Sequence, residues 1–326
     1  MQSYRMQMAE TGTALALRDV PAPTPGPHQL LVRLHAAALN RGEFLPGHGP
    51  QGQPGSWKAI GGEGAGVVVA AGAEASGFQP GDRVMGRCAG AFSEYALMEA
   101  AEAMAMPESL AWEQAAGIPL TFLVAFDMLV LQGRLKPGEW LLVNGVSSGV
   151  GVASLQLGKA LGARVIGTSG SRDKLAALEP LGLDVALCTR EPDFAPAVME
   201  ATGRHGADLV VNTVGGSVFA ENVRAMAFEG RLATVGYVDG VLHADIDLAA
   251  LHARRLTFFG VSNKLRTLEQ RAAAIPRFVA EVLPHFAAGR IQPQIDQVMD
   301  FARLPEAKAR MEAGAHIGKI IVRMPA

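Results

Sequence analysis

The chain is poor in cysteine, with only Cys88 and Cys188 among 326 residues. So few cysteines exclude a disulfide-stapled framework and a cysteine-rich metal cluster. The two could be bridged to each other, but free, buried thiols in a reducing compartment are expected. Charge is scarce too, at 18% of residues with a formal net of −2, so no basic excess draws the protein to nucleic acid or anionic lipid. No charge-free run of about 20 apolar residues offers a bilayer span. The first fifteen residues include Arg5 and Glu10 and lack an apolar core, so no secretory leader is read there. These absences lead us to expect a cytoplasmic protein without membrane contact.

What is present is apolar bulk, 49% of the residues, in a chain longer than one core ordinarily supports. Two domains are the default expectation. The early part of the chain is rich in Gly and Pro. Its short apolar segments, Leu30–Leu34 and Gly66–Ala70, are bounded by turn formers, as strands are, and Pro80-Gly81-Asp82-Arg83-Val84 turns into another strand. From Trp140 the pattern changes to strands alternating with helices. The strand candidates are Trp140–Asn144, Arg164–Thr168, Val185–Leu187, Asp208–Asn212, Arg231–Val235 and Leu256–Gly260. Their nearly continuous apolar runs suit a parallel sheet buried on both faces. Val150, Ala153, Leu157 and Leu161 predict one apolar side of a helix between the first two strands, and Gly158 permits close packing on the sheet. This alternation predicts a doubly wound α/β domain. Ile295, Val298 and Ile317–Val322 do not extend it and are expected to rejoin the first domain.

The segment Leu141-Leu142-Val143-Asn144-Gly145-Val146-Ser147-Ser148-Gly149-Val150-Gly151 passes from a strand through a Gly/Ser turn into that helix. A helix start leaves backbone N–H groups unpaired and carries partial positive charge, so it suits a pyrophosphate. Gly149 and Gly151 are expected to supply the tight turn and close helix packing, Ser147 and Ser148 to add hydroxyl donors, and Val150 to present its amide. Val146 and Ser148 replace the first two glycines of G-x-G-x-x-G, so the reading rests on the strand and helix around the turn. The next strand ends in Gly167-Thr168-Ser169-Gly170-Ser171-Arg172-Asp173-Lys174. A site for NAD normally puts a carboxylate there for the adenosine ribose 2′-OH. Ser169, Ser171, Arg172 and Lys174 instead suit a 2′-phosphate, so NADPH is the expected cofactor. The alternative is that these are solvated residues opening the next helix.

Over almost its whole length the chain resembles the zinc-independent quinone oxidoreductase branch of the medium-chain dehydrogenase/reductase superfamily. The resemblance is carried by Gly61-Gly62-Glu63-Gly64-Ala65-Gly66-Val67-Val68, Phe78-Gln79-Pro80-Gly81-Asp82-Arg83-Val84, the Ser/Gly turn, Val211-Asn212-Thr213-Val214-Gly215-Gly216 and His316-Ile317-Gly318-Lys319-Ile320-Ile321. It implies a Rossmann dinucleotide-binding domain over residues 122–263. That domain is inserted into a β-rich, GroES-like catalytic domain formed by 1–121 and 264–326, with the active site in the cleft between them. It also implies a homodimer paired through an edge strand, placed at Leu256–Gly260.

Residue by residue, Thr189 stands where many relatives have a tyrosine near the adenosine phosphate. Val214, Gly215, Gly236 and Tyr237 fall in turns where relatives hold the ribose and nicotinamide. Lys319 either reaches the cofactor or is solvated. Zinc-dependent relatives place one ligand, a cysteine, in the segment matching Ala37-Ala38-Leu39-Asn40, and another, a histidine, immediately before the glutamate matching Glu63. This chain has Asn40 and Gly62 there, and it lacks the four-cysteine lobe. His35 and His48 have no ligand spacing around them, so no metal is expected. Without a Lewis acid, a conjugated electrophile such as a quinone or an α,β-unsaturated carbonyl is the expected small-molecule acceptor. Asn40 is expected to donate to the substrate oxygen or orient the cofactor ribose. Phe44, Thr121 and Tyr237 are expected to line the pocket, with Tyr237 as a candidate proton donor or simply a packing ring. The loop 41–58 is expected to form the mouth of the site. Alternative readings are an enoyl-thioester reductase and a cofactor-binding protein with a structural or RNA-binding role; near-neutral charge argues against RNA.

Overall fold

The structure, a computed structural model, describes residues 1–9, 12–44 and 56–325. The chain divides into two compact units, Met1–Leu120 with Leu268–Ala326, and Thr121–Thr267. The first unit opens with β1 (Gln2–Ala9), β2 (Gly12–Asp19), β3 (Gln29–Ala38), β4 (Lys58–Ala59), β5 (Glu63–Ala71), β6 (Arg83–Arg87), β7 (Tyr95–Glu99) and β8 (Ala103–Ala105). The second contains β9 (Trp140–Asn144), β10 (Arg164–Ser169), β11 (Val185–Cys188), β12 (Ala207–Asn212), β13 (Met226–Thr234) and β14 (Thr257–Gly260). The chain then returns to the first unit with β15 (Ile295–Asp300) and β16 (Lys319–Arg323).

The first unit is β-rich. Its larger sheet runs β15-β16-β3-β5-β6-β8, with β7 also paired to β3. Along β3, Leu30, Val32 and Leu34 are buried while Arg33 is exposed, the two-residue alternation of a sheet with one covered face. These side chains pack with Val68, Val84, Phe92, Phe301, Leu304 and Val322 into one core. The closing segment joins that sheet because β16 pairs antiparallel with β3, Ile321 opposite Ala38.

The second unit is a Rossmann-like domain. Its six strands lie in the order β11-β10-β9-β12-β13-β14, all parallel. Strand order reverses between β9 and β12, so the carboxyl ends of those strands frame a topological switch point, the usual ligand position in such sheets. Every residue of β9 is buried, whereas β11 alternates and β14 is exposed at both ends. Burial on both faces therefore holds at the centre of the sheet and fails at its edges. That corrects one thiol: Cys88 is buried, but Cys188, ending an edge strand, is exposed, and both are free.

The helix Gly149–Ala160 follows β9 and is buried throughout Gly151–Gly158, while Val150 and Leu161 are partly exposed. The expected one-sided stripe is therefore corrected: small and apolar side chains bury the middle of this helix all round. At Gly158 a Cβ would lie 2.7 Å from Leu141 Cδ2, which shows how closely the helix approaches β9. Among the described residues no helix is long and apolar enough to cross a membrane.

Candidate functional site

Beyond β9 the chain turns at Gly145, whose φ of +66° favours glycine. Val146 N–H donates to Thr168 O at 3.0 Å, tying the turn to β10. Ser148 is the helix N-cap, its hydroxyl oxygen accepting Gly151 N–H at 3.0 Å. Among the described residues, the amides of Ser147, Gly149 and Val150 make no hydrogen bond, so the turn presents three donors beside the positive end of a buried helix. A Cβ on Gly151 would overlap Gly145 O and lie 2.7 Å from Val146 O. The tight-turn role thus belongs to Gly145 rather than Gly149, and Gly151 lets turn and helix touch. Ser148, expected only as a donor, is first an acceptor for its own helix.

Sequence reasoning missed Asn144. It is fully buried, and among the described residues neither Oδ1 nor Nδ2 has a partner. Each unmet buried polar atom costs about 1–3 kcal/mol, which a polar ligand or a water would relieve. Its amide side chain could have been noticed as unusual in an otherwise apolar central strand.

Strand β10 ends in Ser169, which is buried, and Ser171 caps the helix Arg172–Ala176. Ser171 N–H donates to Ser169 Oγ at 3.4 Å, and no carboxylate occurs in Ser169–Arg172. Arg172 is exposed and Lys174 half-buried. A second missed residue is Arg190, just beyond β11: a Cβ on Gly170 would lie 2.6 Å from Arg190 Nε and 2.8 Å from Cζ. Parallel pairing of Ser169 with Cys188 sets the ends of β10 and β11 side by side, so a basic residue after β11 was the available clue. Thr189, expected near the adenosine phosphate, uses its hydroxyl within its own loop, donating to Asp193 Oδ1 at 2.8 Å and accepting Glu191 N–H at 3.0 Å. These bonds fix the turn that follows β11.

At the end of β12, buried Asn212 organises the next turn. Its Oδ1 accepts the N–H groups of Val214 and Gly215, each at 3.0 Å, and its Nδ2 donates to Gly215 O at 2.9 Å. Gly215 has φ +132°, and a Cβ there would overlap the Asp239 carboxylate. A Cβ on Gly236 would lie 3.0 Å from Thr213 O. The Val214 and Gly215 amides are thus spent internally, and these residues form a shaped surface rather than a set of donors. Tyr237 beyond them is 44% exposed.

The first unit holds a separate polar cluster, built where β3, β5 and β16 meet. Lys319 Nζ donates to Glu63 Oε1 at 2.7 Å, Asn40 Oδ1 at 2.7 Å and Leu39 O at 2.9 Å. Lys319 is only 5% exposed, and its three protons are used. It is buried rather than solvated, which corrects that alternative, and its ammonium is held within the cluster. Asn40 Nδ2 spends its two hydrogens on Glu43 Oε1 at 3.0 Å and Glu63 Oε1 at 2.9 Å. Asn40 therefore bridges two carboxylates and an ammonium, and no amide hydrogen remains for a substrate oxygen. Glu63 Oε2 accepts Leu120 N–H at 2.7 Å, and Glu43 Oε1 also accepts Gly62 N–H at 2.9 Å. Glu43 is partly exposed as a residue, but its carboxyl is enclosed. Burial raises that group to about 7, against the favourable influence of Asn40 and Lys319.

Phe44 is 3% exposed and stacks on Phe92 with centroids 6.0 Å apart in the hydrophobic core. It is a core side chain, which corrects its expected place as a pocket wall. Thr121 is buried in the helix Pro119–Phe126. Of the loop 41–58, residues 45–55, His48 among them, lie outside the described residues. His35 is half-buried and stacks on Trp112 at 4.4 Å.

These donors do not fit catalytic zinc. The Asn40 amide oxygen is a poor zinc ligand and already accepts the Lys319 ammonium, Gly62 has no side chain, and a Cβ on Gly62 would lie 2.8 Å from Glu43 Oε1. Burial, then the charges of Glu63 and Glu43, push the Cys88 thiol strongly up and keep it protonated. Among the described residues no three His, Cys, Asp or Glu side chains are grouped to hold a metal ion.

Two family models match, "alcohol dehydrogenase GroES-like domain" over residues 26–108 and "zinc-binding dehydrogenase" over 149–277. The chain is 32% identical over 99% of its length to a phenolphthiocerol/phthiocerol polyketide synthase of Mycobacterium tuberculosis, but spans only 15% of that protein. Among solved structures it is similar to an NAD-dependent alcohol dehydrogenase, at 31% identity and TM-score 0.84, with 100% of both chains covered. It is also similar to a mycobacterial protein complexed with NADPH, at 26% identity and TM-score 0.88, covering 99% of this chain and all of that one. A quinone oxidoreductase of Pseudomonas syringae pv. tomato matches at 27% identity and TM-score 0.84, again over 99% and 100%. With its GroES-like and Rossmann-like units and these matches, the chain is an oxidoreductase of the medium-chain dehydrogenase/reductase superfamily.

Proposed function

We propose that the protein is an NADPH-dependent reductase of quinones or α,β-unsaturated carbonyls that works without zinc. The observation that carries this reading is the phosphate turn. Three unbonded amides at Ser147, Gly149 and Val150 face a place for pyrophosphate, and the adjacent strand ends in hydroxyl and basic side chains where a carboxylate would select NAD. When bound, the cofactor supplies the hydride to an electrophilic carbon of the acceptor. The turn amides hold the diphosphate, Ser169 to Lys174 receive the 2′-phosphate, and the surface of Val214, Gly215, Gly236 and Tyr237 orients the nicotinamide half. The donor set at Asn40 and Gly62 supports a metal-free reaction. A conjugated acceptor suits such a site because the negative charge left by hydride addition is delocalised.

The test is NADPH oxidation by chelator-treated protein across 1,4-quinones, enals and enones. Turnover on at least one class is expected. Tight NADPH binding with no turnover anywhere in that panel would overturn the substrate assignment.

A second reading, an enoyl-thioester reductase, is favoured by the match to a polyketide synthase. Activity rising with acyl chain length on enoyl thioesters would select it. The near-neutral charge gives no support to an RNA-binding role. The proposal includes a cytoplasmic setting and a homodimer in which β14, an edge strand of the six-stranded sheet, pairs with its own copy. Sedimentation of the purified chain at twice the monomer mass is the expected result.

A further inference from the structure

We propose that Arg190 is the residue that makes this chain discriminate NADPH from NADH, by pairing its guanidinium with the ribose 2′-phosphate. The inference rests on the NADPH reading and names the contact behind it. Sequence pattern directs attention to Arg172 and Lys174, which follow β10, but the geometry singles out Arg190. Its guanidinium lies against the backbone of Gly170, at the place where a NAD-selective site would carry its carboxylate. A Cβ on Gly170 would come within 2.6 Å of both Cγ and Nε of Arg190. A side chain at position 170 would displace Arg190 from this place.

Three further observations point the same way. Arg190 is exposed, and among the described residues it makes no hydrogen bond or ion pair, although Glu191 and Asp193 are close in sequence. Thr189 accounts for this. Its hydroxyl binds the Asp193 carboxylate and the Glu191 amide, which fixes the turn from which Arg190 projects and gives that carboxylate another partner. Beside Gly170 stand the hydroxyls of Ser169 and Ser171, and Arg172 follows, also without a partner among the described residues. The Lys174 amide is already bound by Ser171 Oγ at 3.4 Å. A guanidinium's planar fork matches a phosphate in two parallel bonds, which a lysine ammonium cannot do.

The experiment measures dissociation constants of NADPH and NADH for the apo protein by calorimetry, so the readout is binding rather than turnover. Wild type is expected to prefer NADPH. R190Q is expected to weaken NADPH by about 10- to 100-fold, the range for losing a charge-assisted bond, while NADH changes by less than about twofold. R190K is expected to fall between, since it keeps the charge and loses the fork. G170A keeps Arg190 but displaces it, and is expected to lose NADPH selectively as well. Unchanged NADH binding shows in each case that the variant is folded. If wild type prefers NADPH and R190Q keeps that preference within about threefold, the inference fails and the reductase reading stands. If wild type shows no preference for NADPH, the cofactor reading fails with it.

Discussion

Glu43 and Gly62 fill one another's space: Glu43 Oε1 accepts the Gly62 N–H at 2.9 Å and sits 2.8 Å from where a Gly62 Cβ would be. In zinc-dependent relatives that position carries a histidine. Here a carboxylate has taken the volume a ligand side chain would need, and it is held there by the same residue's backbone.

Restoring the histidine should therefore not restore a metal site. G62H is expected to lose about 1–3 kcal/mol of stability from overpacking against Glu43. Purified protein grown with added zinc should contain far less than one zinc per chain by elemental analysis. Stoichiometric, tightly held zinc in G62H would show that the site is closer to a metal centre than its geometry indicates.

The Glu43 carboxyl gives a pH signature with a definite sign. Its value in the folded protein is about 7, above the ordinary 4.5, so between these values the folded state holds a proton that the unfolded chain has released. Unfolding free energy should fall as pH rises from about 4.5 to about 7, then level off. The contribution is at most about 3.5 kcal/mol, since each unit of pKa difference is worth about 1.4 kcal/mol. Glu63 and Lys319 face the same group, so the control is E43Q, in which this slope should disappear from urea-denaturation curves. An unaltered slope in E43Q would assign the proton elsewhere.

The buried Lys319–Glu63 pair is expected to matter mainly when it is broken. K319M leaves two carboxylates sharing Asn40 with no cation, and E63Q leaves the ammonium without its counter-charge. Each should cost about 3–5 kcal/mol in chemical denaturation, the usual penalty for an orphaned buried charge. A loss below about 1 kcal/mol in both variants would mean that the cluster is solvated.

The phosphate turn yields a separation of effects. S148A removes only the cap and should cost about 1 kcal/mol of stability. G151A places a Cβ against the carbonyls of Gly145 and Val146, so the turn must open. NADPH affinity should fall at least about tenfold, because the misplaced turn no longer aligns its amides. Thermal unfolding and calorimetry together distinguish the two. Normal NADPH affinity in G151A would remove the turn from the binding site.

The sequence read most clearly where local chemistry and tertiary role agree. The strands from Trp140 onward were legible because a run such as Leu141-Leu142-Val143 must be buried on both sides. Gly158 was legible because a glycine inside a strong helical pattern costs helix stability and is kept mainly where the helix must pack closely. Lys319 was not, because a lysine near the chain's end carries no local mark of burial. Its place depends on β16 pairing beside β3, next to the start of β5. Asn40 stood out in the sequence, but that its two amide hydrogens go to Glu43 and Glu63 was not legible, because Glu63 is brought to it by the pairing of β3 with β5. Phe44 gave no hint of core or pocket, since an aromatic ring suits either.

By itself the amino-acid order determined which segments form strands and helices, where the chain turns tightly, and that one turn carries unpaired amides, because periodicity, glycine and helix ends act over a few residues. Only the tertiary structure decided which polar side chains have anything left to offer a ligand. The hydrogens of Asn40 and Lys319 are engaged because folding brings Glu63 to them from another part of the chain, whereas Arg190 is left without a partner among the described residues, and neither outcome is written in the residues next to them.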